Sequence, residues 1–259
     1  MPSPIRPSSP LRIRYEARIH ALIDEMAKSL AWHIKAQWRK DTPETVLMGA
    51  DKSPAEALQE LLERLGKHWL SRFDDLAEKM AEYFSASVRS RCDSALASEL
   101  RRAGMSIRFK MTPAMRDAFD AVRAENVSLI KSIGSQHLAK VETMVMQSVS
   151  QGRDLGQLTR QLQKQTGVTK RRASFIARDQ NNKATATMRS VREQEAGITE
   201  GIWMHSGGGK EPRPEHKSFS GKRFKLSEGH DFGDGFGKVL PGQAINCRCT
   251  WRPVIPGFE

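Results

Sequence analysis

Residues 58–100 read LQELLERLGKHWLSRFDDLAEKMAEYFSASVRSRCDSALASEL, and they decide the fold class. Leu58, Leu62, Leu65, Trp69, Phe73, Leu76, Met80, Phe84, Val88, Cys92, Leu96 and Leu100 recur every three or four residues without a break. That spacing draws one apolar stripe along an α-helix. It predicts a helix of about 45 residues, roughly 65–70 Å long at 1.5 Å per residue. Such a helix needs a partner along most of its stripe. Cys92 lies on the stripe and reads as an inert core thiol.

Upstream, Ser53-Pro54 with Glu56 forms a capping box that starts the long helix. Residues 41–53, with Pro43 and Gly49, break it from an earlier one. That earlier helix runs from about Leu11 to Lys40 on Ile19, Leu22, Ile23, Met26, Leu30 and Ile34, with Trp32 and Trp38 read as packing groups. Residues 1–10 hold four prolines and three serines and read as an extended or disordered arm without a signal peptide.

Downstream, Gly104 ends the long helix and Thr112-Pro113 opens the next, striped by Met115, Phe119, Val122, Leu129, Ile133, Leu138, Val141, Val145 and Val149 until Gly152. The two predict an antiparallel hairpin turning at 104–111. His68 and His137 lie near these stripes and read as packed or half-exposed structural histidines. Asp154 caps a short helix ending at Gly167, and Thr169 caps another running to Gly197. The second carries Lys170, Arg171, Arg172, Arg178, Lys183 and Arg189, candidate contacts to DNA phosphates unless they are merely a solvated face.

The chain changes character after Gly197. Ile202-Trp203-Met204 reads as a short strand. Gly207-Gly208-Gly209 lacks the lysine and hydroxyl spacing of a phosphate loop. Residues 217–224 read as a hairpin turning at Ser220-Gly221, and Asp231 and Asp234 fail calcium-loop spacing. Cys247 to Trp251 reads as a closing strand ended by Pro253, which would put both sulfurs on one face and Arg248 on the other. With His216, and either His205 or His230, the two thiols could complete a tetrahedral zinc site. Burial of the thiols without metal is the alternative.

The expected class is therefore mainly α with a small C-terminal α+β or β-rich module: an elongated helical hairpin followed by a compact turn-rich domain. Its parts are an arm (1–10), a hairpin body (11–152), a basic connector (153–197) and the module (198–259). A formal charge of +12 over 259 residues favours a polyanionic partner, nucleic acid first. Three cysteines argue against a secreted disulfide scaffold, and no apolar run reaches the roughly 18 residues of a membrane span.

Trp203, Arg213-x-x-His216, Gly221, Pro241-Gly242, Asn246-Cys247-Arg248-Cys249 and Pro253 together resemble the signature of the Mu F-like minor head proteins of tailed phages, the head morphogenesis family. Gly152 to Leu158, Arg172-Ala173 and Ile176 to Gln180 resemble that family's helical lead-in, so the resemblance spans about residues 145–255. Many members carry a histidine two residues before the asparagine, and this chain departs from them with Ala244. The resemblance implies a structural, non-enzymatic virion component made in the host cytoplasm. It would sit in the head interior near the portal, bind portal protein and the major capsid or scaffold protein, and touch packaged double-stranded DNA without sequence preference. Two alternatives stand beside it. One is a phosphodiester-cleaving nuclease with His216 or His230 as general base and Arg213, Lys217 or Arg248 steadying the phosphate. The other is a zinc-stabilised nucleic-acid binder acting outside a virion.

Overall fold

A computed structural model of the chain describes residues 3–40, 52–152, 154–208, 212–255 and 257. The break placed at 41–53 by sequence falls mostly outside them, as does Gly209 of the glycine run. Four long helices dominate: α1 (Ser9–Lys40), α2 (Pro54–Arg102), α3 (Pro113–Ser150) and α4 (Leu155–Glu195). A five-residue helix α5 (Pro214–Ser218) and five short strands follow: β1 (Glu200–Met204), β2 (Arg223–Lys225), β3 (His230–Asp231), β4 (Lys238–Val239) and β5 (Thr250–Val254). The chain is mainly α with a small antiparallel β region at its C-terminal end, as its sequence pattern predicts.

The starts and stops follow local chemistry. Ser53 and Glu56 form the reciprocal capping box, Glu56 N–H donating to Ser53 Oγ (3.2 Å) and Ser53 N–H to Glu56 Oε2 (2.8 Å). The Ser53 backbone N–H, followed by the Ser53 hydroxyl, holds the Glu56 carboxyl below its ordinary pKa. Thr112 Oγ1 accepts from Met115 N–H at the head of α3, and Asp154 Oδ1 accepts from Gln157 N–H at the head of α4. Of the twelve stripe residues on α2, eleven are buried and Leu76 is half-buried.

The chain divides into two compact units: residues 14–80 with 126–174, and residues 1–13 with 81–125 and 175–259. In the first, segments of all four long helices pack together. Lys131 pairs with Asp74 and Glu78 across α2 and α3, Tyr15 O–H donates to Asn126 Oδ1 (2.8 Å), and Lys170 pairs with Asp24 (2.6 Å). Gly134 marks the closest approach, since a Cβ there would stand 2.7 Å from the Phe73 ring. Gly134→Ala is expected to cost about 1–3 kcal/mol by overpacking. Urea denaturation checks this, and an unchanged midpoint would show that Phe73 has room to move.

In the second unit, α2 and α3 again run antiparallel, with Glu82 opposite Arg123 and Arg89 over the Phe119 ring. Strands order β2-β1-β5 in one antiparallel sheet, and β3 pairs with β4 in another. In β1, Gly201 lies under aromatic rings: a Cβ would meet Trp251 at 2.7 Å and Phe224 at 3.1 Å. Trp203, Trp251, Phe224, Leu226 and Ile255 form a core with Leu96 and Leu100 of α2 and Ile5.

Several expectations are corrected. Residues 3–8 are an extended arm but an anchored one, not a disordered one, because Ile5 is buried and its carbonyl accepts from Arg189 (3.1 Å). Trp32 is 67% exposed, with its ring edge-on to His33, and so is no packing group; Trp38 is buried. His137 is buried, whereas His68 is exposed. Gly167 does not end a helix and Thr169 caps nothing. Helix α4 runs through both, because the roughly 1 kcal/mol cost of an internal glycine is outweighed by packing on either side. Thr169 is buried, its Oγ1 donating to the Gln165 carbonyl and meeting His137 Nδ1 at 2.8 Å. Residues 214–218 are helical, not one arm of a hairpin. Pro253 sits inside β5, tolerated because β5 is an edge strand.

Candidate functional site

Helix α4 positions the site. From Ile176 to Glu193 most of its residues are buried, many of them polar, and each anchoring side chain meets a group distant in sequence. Asn181 Nδ2 donates to the Ser8 carbonyl (3.2 Å), Gln180 to Glu125 (2.8 Å) and Ser190 to the Leu226 carbonyl (3.3 Å). Arg192 is buried and spans Asp93, Glu195 and the Lys110 carbonyl.

Three more of these contacts pin the loop between β4 and β5. Asp179 Oδ1 accepts from Asn246 N–H (2.6 Å), Asn182 Nδ2 donates to the Cys247 carbonyl (2.8 Å), and Gln243 Nε2 donates to Thr187 (3.3 Å). Asn246 holds a left-handed backbone, φ 57°, which asparagine tolerates better than most residues. Gly242 has φ 93°, and a Cβ would crowd the Cys249 carbonyl at 3.3 Å. Arg213 clamps the loop from the other side, donating to the Ile245 carbonyl (3.0 Å).

The loop turns both cysteines inward. They do not lie on the closing strand, which begins at Thr250; the loop itself brings the sulfurs together. Arg248 is exposed, pointing away as expected. His216 on α5 meets them, its Nδ1 standing 3.5 Å from Cys247 Sγ and 3.8 Å from Cys249 Sγ. Its ring is stacked on Phe232 (4.2 Å) and edge-on to Trp203 (5.3 Å), so its orientation is fixed. A hydrogen bond from Cys249 pulls Cys247 down to about 4, against burial and aided by His216 and the backbone N–H groups of Cys249 and Gly242. Cys249 is pushed up by donating that bond and by burial. Cys92 lies apart from this cluster; burial raises it to about 12, as befits a core thiol.

A cleft of about 590 Å³ opens beside the cluster, lined by Arg178, His205, Arg213, Asn246 and Arg248 among others. A second, of about 380 Å³, shares Arg178, His205 and Arg248 and adds Arg6 and Arg12. His205 accepts at Nδ1 from Gly207 N–H (3.1 Å). His230 stacks on Phe219 at 3.7 Å, and burial lowers its pKa. Among the described residues, neither His205 nor His230 joins the sulfur cluster.

The basic connector is corrected by the structure. Arg189 is buried against Glu193 (2.6 Å), the Ile5 and Trp251 carbonyls and the Trp251 ring, so it cannot face DNA. Lys183 pairs with Asp179 and Glu125, Lys170 with Asp24, and Arg172 with Ser132. Arg171 is exposed and Arg178 lines both clefts.

Residues 139–252, which contain nearly all of these groups, match the family model described as Phage Mu protein F like protein. This part of the chain carries the similarity to that family. The chain is also 31% identical over 208 residues to an uncharacterized protein of Haemophilus influenzae (strain ATCC 51907 / DSM 11121 / KW20 / Rd), covering 79% of this chain and 44% of that protein. It thus spans less than half the length of that relative. No solved structure matches. Within the matched region the resemblance residues have structural places: Trp203 in the core, Gly221 donating its N–H to the Trp203 carbonyl (2.8 Å), and buried Pro241 before the corner. Ala244, which stands where many members have histidine, is buried in the core of the C-terminal region. Sequence reasoning missed Asn182 as an anchor and Asp234, whose carboxylate faces His216 Nε2 at 3.8 Å. The polar run Asp179-Gln180-Asn181-Asn182 inside an otherwise periodic helix was the available signal.

Proposed function

We propose that the protein is a structural head-morphogenesis component of a tailed phage, working at the procapsid interior near the portal. The observation that carries this is the Mu F-like match, which takes in all of α4 together with most of the region it anchors. The Asn246–Cys249 corner is held by Asp179, Asn182 and Arg213, which supports an architectural role for the motif. Head assembly is also consistent with the chain's composition: no helix among the described residues is long and apolar enough to cross a membrane.

Contact with packaged DNA belongs to this reading, drawing on Arg178 of the α4 candidates together with arginines outside that helix. Arg6, Arg12, Arg178, Arg213 and Arg248 gather around the two clefts, a concentration of charge suited to phosphate. Portal protein and the major capsid or scaffold protein are the protein partners proposed. The nuclease alternative gains little from the site. His216 Nδ1 faces the sulfurs and its buried Nε2 faces Asp234, so neither nitrogen is directed at a substrate in the cleft.

Mass spectrometry of gradient-purified virions and procapsids tests the proposal. The protein is expected in both, and it should co-purify with portal protein from infected cells. Its absence from both particles would overturn the assignment.

A further inference from the structure

We infer that His216, Cys247 and Cys249 bind one zinc ion, with the fourth coordination place taken by solvent from the arginine-lined cleft. The three donor atoms lie within 4.8 Å of one another. Tetrahedral zinc with Zn–S near 2.3 Å and Zn–N near 2.0–2.1 Å needs N···S separations of about 3.6 Å. The observed separations are 3.5 and 3.8 Å, so a metal can enter with little movement of the chain. Two soft sulfurs with one imidazole at this spacing favour zinc over magnesium or calcium, which take oxygen donors.

The far side of the imidazole argues for the same ion. Nε2 of His216 and Oδ2 of Asp234 face each other at 3.8 Å; both atoms are buried and neither has a hydrogen-bond partner. A histidine that ligates metal through Nδ1 must carry its proton on Nε2, and such histidines usually hand that N–H to a carboxylate. Thiols packed against a histidine without metal leave this pair unexplained. The sulfurs are also surrounded by donors, with backbone N–H groups of Cys249 and Gly242 toward Cys247 and of Ser206 toward Cys249. Donors so placed suit thiolates that carry charge, as metal-bound sulfurs do. The ion would tie α5 to the loop before β5, stapling a region of short strands.

The full-length chain, loaded with excess zinc and freed of loosely held metal, is expected to retain about one zinc per chain. Cobalt(II) in its place should give sulfur-to-cobalt charge transfer and the visible bands of tetrahedral cobalt. Cys247→Ser and His216→Ala should abolish both, while Cys92→Ser keeps them. Asp234→Asn should weaken zinc affinity about 10–100-fold in competition with a chromophoric chelator. Retention below about a tenth of an equivalent by the wild-type chain would overturn the inference without reference to variant folding. So would a cobalt spectrum unchanged by Cys247→Ser. None of these readouts depends on whether the protein enters phage heads.

Discussion

Replacing Arg189 with methionine is expected to destabilise the chain by about 3–5 kcal/mol, the cost of stranding one member of a buried ion pair. Arg189 is 1% exposed and Glu193 is fully buried, with Nε and Oε1 2.6 Å apart. The remaining guanidinium donors reach the Ile5 carbonyl and Thr250 Oγ1 (both 3.1 Å) and the Trp251 carbonyl (2.9 Å), and the plane lies 4.0 Å over the Trp251 ring. Methionine fills most of the volume but takes the guanidinium donor from the Trp251 carbonyl, while the Ile5 carbonyl keeps the Thr250 hydroxyl (3.1 Å). It also leaves Glu193 with only the Trp251 indole N–H, 2.5 Å away, as a partner. Burial already raises the Glu193 carboxyl above its ordinary pKa, opposed by Arg189 and Trp251. Without Arg189 the group should take up a proton, so a second change, Glu193→Gln, should recover part of the loss. Chemical denaturation followed by tryptophan fluorescence measures both. A loss under about 1 kcal/mol, the worth of an exposed pair, would show that the network is dispensable.

That network explains which parts of the molecule were legible in the sequence. The α2 stripe and the Ser53–Glu56 capping box are set by neighbours three or four residues apart, and both appear as read. The second half of α4 is set by partners far away. Arg189 reaches Ile5 across 184 positions, Asn181 reaches Ser8 across 173, and Asn182 reaches Cys247 across 65. Periodicity counts apolar residues, so a helix buried by polar side chains that each satisfy a distant backbone group reads as a solvated basic face. The same limit applies at the corner. Two cysteines one residue apart suggested strand alternation, whereas a left-handed Asn246 and an Asn182 anchor turn a loop to give the same convergence. The His216–Cys247–Cys249 grouping could be named because its residue types are rare. Asp234 could not, because a glycine-rich loop gives no clue to where its one buried carboxylate oxygen points.

Acid should weaken the protein through His137, which tests the other unit independently. The ring is buried on α3, with Nδ1 2.8 Å from Thr169 Oγ1 of α4, and burial lowers its pKa from 6.5 to about 4. Between those values the unfolded chain binds a proton that the folded chain refuses, so stability rises with pH in that window. The contribution is complete above pH 6.5 and is lost as the pH falls to about 4. The size of the difference corresponds to about 3 kcal/mol. His137→Gln keeps a polar side chain beside Thr169 but has no proton to gain. Urea midpoints at pH 7 and pH 4, measured for both chains, isolate the effect, since every other titrating group is common to the pair. The variant should lose about 3 kcal/mol less than the wild type on acidification. Parallel losses would mean that α3 and α4 part, or admit water, before the imidazole is forced to accept its charge.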